Sequence, residues 1–212
     1  MWSEPFLIKE KNGTDISVFC STQGCFDSKT TMQENAIVFA LSILLSSVII
    51  FNIKEQISED MLQFLQYFVG FARLADKENE NKLFQKLLFL IRDWQFSSFE
   101  FGYYDDRTPK DGKNYKKDRL DPIDNQKKEI KSTSEMISST FEDVACYLFP
   151  HPGWEVARNS KFHVSTTDPE FVQSLQEFVP LVPNNNAIVA KKIGGSFVTG
   201  GQLMMFVKEW AT

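Results

Sequence analysis

The sequence predicts an α/β fold with a mostly parallel central sheet plus one antiparallel hairpin strand, and three observations carry that prediction. The run Leu87-Leu88-Phe89-Leu90-Ile91-Arg92-Asp93-Trp94 is apolar for the length of a strand and then ends abruptly on a basic and an acidic residue, as an interior parallel strand does. A second apolar run, Val144-Ala145-Cys146-Tyr147-Leu148-Phe149, ends in Pro150-His151-Pro152-Gly153-Trp154. Around these runs lie stretches whose apolar residues recur at helical spacing, so strands and helices are interleaved along the chain.

Taken in order, residues 4–8 and 16–20 are β-rich runs flanking Lys11-Asn12-Gly13, a hairpin signal. The second run leads into Ser21-Thr22-Gln23-Gly24, a short polar turn that can aim backbone N–H groups at an anion. The longest apolar stretch, 36–51, is too short and too interrupted by Ser42, Ser46 and Ser47 to span a membrane. It reads instead as a buried helix, a serine turn and a buried strand from Val48 to Phe51. Ser58 is placed to cap a further helix with Glu59 and Asp60 in its first turn, and Met61, Phe64, Leu65, Phe68, Ala72 and Ala75 form its apolar stripe. A charged loop, 77–82, leads to the strand ending at Trp94.

Beyond Trp94 the pattern changes. Residues 97–128 carry Tyr103-Tyr104-Asp105-Asp106, Pro109, Gly112 and interleaved charges without apolar periodicity, and are expected to be a surface insertion. A polar helix follows around 129–141, with Ile130, Ile137 and Phe141 on one face. After the second strand, Asp168-Pro169 opens a helix whose buried stripe is expected to be Phe171, Val172, Leu175, Phe178 and Val179, stopped by Pro180 and Pro183. Residues 188–193 make a short strand candidate, Gly194-Gly195 a turn, and Leu203, Phe206, Val207 and Trp210 a last helical stripe.

Composition removes several function classes. At 212 residues, with 42% apolar and 24% charged side chains, the chain suits one α/β domain able to bury a sizeable core. A net charge of −5 argues against a nucleic-acid footprint, which needs a basic face. The cysteines Cys20, Cys25 and Cys146 form neither an even disulfide framework nor a CxxC metal pair, and no charged-then-apolar leader follows Met1, so a reduced, cytosolic setting is expected. His151 and His163, the only histidines, lack an acidic partner pattern for zinc.

The carboxyl edge of an open parallel sheet is where ligands sit. A carboxylate there accepts two parallel hydrogen bonds from neighbouring N–H groups, and the ring nitrogen and exocyclic amine of guanine present that pattern. Taken alone, Arg92-Asp93 is equally what a surface arginine and a capping aspartate give.

Four stretches together are more specific: Trp2-Ser3-Glu4-Pro5-Phe6-Leu7-Ile8; Thr22-Gln23-Gly24-Cys25-Phe26-Asp27-Ser28 with Val38-Phe39-Ala40-Leu41-Ser42; Leu90-Ile91-Arg92-Asp93-Trp94; and Pro150-His151-Pro152-Gly153 with Val156-Ala157-Arg158-Asn159. In these the chain resembles the atlastin-type GTPase domain of the guanylate-binding, dynamin-related group, in family order over nearly its whole length. The resemblance implies a P-loop-GTPase-like three-layer fold that binds GTP or GDP, with Mg2+, and hydrolyses GTP. It also implies a homodimer or a heterodimer with an intact relative, working on the cytosolic face of the endoplasmic reticulum in membrane fusion. By the same resemblance Asp93 pairs with the guanine edge, Arg92 stacks beside or braces it, Val156 and Asn159 line the base and ribose side, and Gln23 with the Gly24 amide senses the terminal phosphate.

The chain also departs from that pattern. No G-x-x-x-x-G-K-[ST] occurs in it, since Gly112-Lys113 is followed by Asn114. Ser21 stands where the family has the switch aspartate that holds magnesium's water shell, and a neutral hydroxyl does not replace it. These 212 residues are therefore expected to be a fragment, an incomplete copy or a decayed one, inactive alone and acting, in the alternative reading, as a dimerisation module. Missing the strand before the phosphate loop, the fold is expected to leave two facing sheet edges unpaired or to force them together.

Overall fold

A computed structural model describes residues 6–9, 15–18, 31–75, 84–102, 110–120, 128–181, 189–193 and 195–210. Its centre is a three-stranded parallel sheet, ordered β3 (Val48–Lys54), β4 (Phe84–Trp94) and β5 (Phe141–Pro150). The hairpin expected at the start of the chain is present as β1 (Phe6–Lys9) and β2 (Asp15–Val18), paired antiparallel with Phe6 opposite Val18. It forms a sheet of its own, and among the described residues β3 pairs with β4 alone. Among the described residues no pairing joins this hairpin to the edge of β3.

Alternation along the strands divides the core between the two faces of the sheet. Ile49, Phe51 and Ile53 of β3, Leu87, Phe89 and Ile91 of β4, and Cys146 and Leu148 of β5 join one large buried cluster. Helix α1 (Met32–Leu45) adds Phe39, Ile43 and Leu44 to it, and α2 (Glu59–Ala75) adds Leu62, Leu65, Phe68 and Val69. Ser58 caps α2, its hydroxyl accepting from the Met61 N–H at 3.3 Å. The opposite face carries Tyr147 and Phe149 of β5 under Phe178 of α6 (Pro169–Leu181), with Leu88 and Leu90 half-buried beside them. Layers on both sides of a parallel sheet make this a GTPase-like α/β fold.

Four sequence expectations change on contact with the fold. Within 97–128, α3 (Gly112–Leu120) lays one face on β5, burying Tyr115 and Leu120, while Lys113, Asn114, Lys117, Asp118 and Arg119 stay exposed. Gly112 permits that approach, since a Cβ there would stand 2.1 Å from the Cys146 carbonyl oxygen. Phe141 is not on the helix but opens β5, because α4 (Lys128–Thr140) closes where the Thr140 hydroxyl donates back to the Met136 carbonyl at 2.6 Å. Leu175 and Val179 are exposed: α6 contacts β5 through Phe171 and Phe178, a stripe too narrow to cover its flanks. Helix α6 also runs one residue past Pro180, which sits in its last turn. Residue 183 lies outside the described residues, as do the side chains of Ala72, Ala75 and Ile130.

At the amino end of β4, buried Gln85 holds Ala190 and Lys192 against the sheet. Its side-chain amide donates to the Ala190 carbonyl at 2.6 Å and its oxygen accepts the Lys192 N–H at 3.0 Å. The short hairpin of β6 (Lys192–Ile193) and β7 (Ser196–Phe197) follows, where the sequence suggested a longer strand from residue 188. Helix α7 (Gly200–Trp210) closes the described chain, with Leu203 and Phe206 half-buried.

Candidate functional site

Because β3, β4 and β5 run parallel, their carboxyl ends converge on one edge, and there they open a cleft of about 330 Å³. Lys54 and Glu55 line it from β3, Arg92, Asp93 and Gln95 from β4, and His151 and Pro152 from the end of β5. Trp154 and Ala157 complete it from the short helix α5 (Trp154–Arg158).

Asp93 owes its position to an irregularity in the central strand. Pairing between β4 and β5 shifts between Ile91 and Trp94, and within that bulge Asp93 takes φ 59°. Left-handed backbone is rare outside glycine, and aspartate is one of the residues that tolerates it. Bulges of this kind re-aim side chains next to ligand sites. The Asp93 side chain is only 13% exposed, while its neighbour Arg92 is 47% exposed. Arg92 is oriented from the adjacent strand, its Nε donating to Asn52 Oδ1 at 3.0 Å while Nη1 reaches Asp93 Oδ2 at 3.4 Å. Next to this pair Glu55 is also left-handed, at φ 65°, and its N–H donates to the Arg92 carbonyl at 2.8 Å. Two left-handed residues thus stand at adjoining strand tips, the kind of backbone outlier that clusters at ligand sites.

The opposite wall is a tight turn. Gly153, at φ 103°, donates its N–H to His151 Nδ1 at 3.0 Å and so opens α5, while the Pro152 carbonyl accepts from the Asp168 N–H at 3.0 Å. The β4 tip is anchored from behind by Trp94, whose Nε1 donates to the Phe99 carbonyl at 3.0 Å and whose ring meets Tyr115 edge-on at 4.9 Å.

A cleft with one shielded carboxylate, a braced guanidinium and aromatic and aliphatic walls can receive a flat heterocycle bearing N–H donors on one edge. Of the residues that the sequence nominates, Arg92 and Asp93 are brought together in it. Val156 is half-buried and does not line the cleft. Asn159 is exposed and engaged locally, its side chain donating to Glu155 at 3.2 Å and accepting from the Lys161 N–H at 3.0 Å. Ser21, Gln23 and Gly24 lie outside the described residues. Lys54, Glu55, Gln95, His151 and Trp154 were not nominated, although the strand-end logic that picks Asp93 points equally to the tips of β3 and β5. Among the described residues, no group of three or more His, Cys, Asp or Glu side chains is placed to hold a metal ion. Among them too, no helix is long and apolar enough to cross a membrane.

Comparison with known proteins bears on what this edge is for. The sequence model of the guanylate-binding protein N-terminal domain matches residues 1–192. Atlastin of Drosophila melanogaster is 42% identical over 214 residues, covering 99% of this chain and 38% of its own length. Atlastin-2 of Homo sapiens is 39% identical over 213 residues and Atlastin-1 of Bos taurus 37%, again covering 99% of this chain, with 36% and 37% of their own lengths. The chain therefore spans well under half the length of the curated relatives it matches. With the match running from the first residue into β6 and taking in every strand of the central sheet, this chain belongs to the guanylate-binding protein N-terminal domain family.

Proposed function

We propose that the cleft at the carboxyl edge of the sheet recognises the base of GTP or GDP and that the chain is part of the GTP-binding, GTP-hydrolysing domain of an atlastin-like, dynamin-related GTPase. The observation carrying this reading is the shielded Asp93 carboxylate, re-aimed by a bulge into a cleft that Arg92 borders. Asp93 accepts the two N–H donors on the guanine edge, and Arg92, held by Asn52, braces the carboxylate and lies beside the ring. Adenine has no matching donor pair, so the contact favours GTP over ATP. Sensing of the terminal phosphate belongs to the turn at Gln23 and Gly24, while Ser21 offers the water shell of Mg2+ no carboxylate. The whole protein of this type dimerises on nucleotide binding, acts at the cytosolic face of the endoplasmic reticulum and contributes to membrane fusion and organisation. Residues 97–128 are an insertion within the domain.

Calorimetric titration of the chain with GTP and with ATP, repeated on Asp93→Asn, tests the base contact. Asparagine keeps the size and the tolerance of left-handed backbone but turns one acceptor into a donor. The preference for GTP should shrink by about 1–3 kcal/mol, the worth of a bidentate base contact. Tight GTP binding that Asp93→Asn leaves unchanged refutes the assignment.

A further inference from the structure

We infer that Trp154 is the stacking wall of this cleft, on which a purine lays its face while Asp93 holds its edge. The inference rests on the nucleotide reading above and extends it to a residue that contributes affinity rather than base choice. Trp154 is 61% exposed, an unusual state for the largest apolar side chain, and it lines the same cleft as Asp93. Helical spacing explains why it does so: residues three apart share a face, and Trp154 and Ala157 are the two α5 residues that line the cleft.

The indole is also held in advance. Arg158 places its guanidinium carbon 5.0 Å from the ring centroid, and the His151 ring lies 5.0 Å away on the strand side, tilted by 42°. His151 is itself fixed by the Gly153 N–H. A ring braced by two neighbours loses little rotamer freedom when a ligand arrives, so its stacking energy is not spent on ordering it. Every purine offers a π-face, so stacking strengthens guanine and adenine nucleotides alike, whereas the edge contact to Asp93 separates them. Affinity and discrimination thus fall to different residues.

The test titrates the 212-residue chain with GDP and with ADP by calorimetry and by tryptophan emission, using Trp154→Ala and Trp154→Phe. Trp154→Ala should weaken both nucleotides by the same factor, about tenfold, leaving their ratio unchanged. Trp154→Phe, which retains a ring and guards against a folding artefact, should bind within about threefold of wild type. Emission quenched by GDP in the wild type should no longer respond in Trp154→Phe while binding persists. The inference is overturned if wild type prefers GDP to ADP yet Trp154→Ala binds both as tightly, and in particular if that variant instead loses self-association, which would make the indole a protein contact. It is overturned equally if the GDP quench survives in Trp154→Phe. If wild type binds no GDP, the nucleotide reading falls with it.

Discussion

Replacing Gly112 by alanine distinguishes two placements of the 97–128 stretch, because they demand opposite signs. In a solvated segment the change stabilises by roughly 0.5–1 kcal/mol, through backbone entropy and helix propensity. In the fold Gly112 opens α3 directly against β5, and an added Cβ falls 2.1 Å from the Cys146 carbonyl oxygen and 2.9 Å from its carbon. Backbone of a strand hydrogen-bonded into the sheet cannot swing aside as a flexible side chain does, so α3 must retreat by about 1 Å to reach 3.0 Å, the limit for real contacts. The retreat pulls on Tyr115, which is fully buried against Trp94 and Phe99 and accepts the Ile57 N–H at 2.8 Å. Overpacking costs about 1–3 kcal/mol and a weakened buried hydrogen bond about 1 more, while the propensity gain at a first helical position offsets less than 1.

The expected net loss is therefore about 2–3 kcal/mol, or roughly 4–12 °C in Tm for a domain of this size. Urea unfolding followed by far-ultraviolet circular dichroism reads it as a lower midpoint at unchanged m. A Gly112→Ala chain as stable as wild type, or more so, would refute the packing of α3 on β5.

Tyr115→Phe keeps the ring contacts but removes the acceptor of the Ile57 N–H, which links α3 to the end of β3. A buried donor left without a partner costs about 1–3 kcal/mol, so the urea midpoint should fall by that equivalent, and no change would mean the bond contributes nothing. Alkaline pH attacks the same region. Burial pushes the Cys146 thiol from 9.0 up to about 12, with Lys116 opposing, and burial likewise raises the Tyr115 phenol above 10.0 against the Ile57 hydrogen bond and Arg119. Both folded-state values lie above the unfolded ones, so the stability these groups lend is complete below pH 9.0 and is lost as pH rises toward about 12. Stability measured across that window should decline, and Cys146→Ala should flatten its lower part; a decline identical in the variant would remove the thiol as a cause.

Much of this architecture is legible in the sequence, and the parts that are not share a physical reason. Interior parallel strands declare themselves through unbroken apolar runs: in β4 no polar residue interrupts Leu87 to Ile91, which is why that run and the tip at Arg92-Asp93 can be read directly. The start of α2 is equally plain, since Ser58 and the acidic first turn are local signals. Helix α3 is not legible: its nine residues are almost all polar, and Tyr115 is buried only because Trp94, Phe99 and Ile57 surround it, a tertiary circumstance. Phe141 misleads because it continues the helical spacing from Ile137 while beginning the period of a strand.

The cleft wall at α5 shows the limit most clearly. Resemblance nominates Val156 and Asn159, whereas Trp154 and Ala157 line the cleft. The two pairs have the same spacing of three and differ by two residues in phase, which is about 200° around a helix, or the opposite face. Spacing is a property of sequence, but phase is set by how the chain enters the helix. Here Gly153 makes that entry at φ 103°, with its N–H turned back onto His151. Any substitution that forces residue 153 to negative φ should therefore rotate the wall even if α5 itself still forms, carrying the indole away from Asp93 without touching either residue.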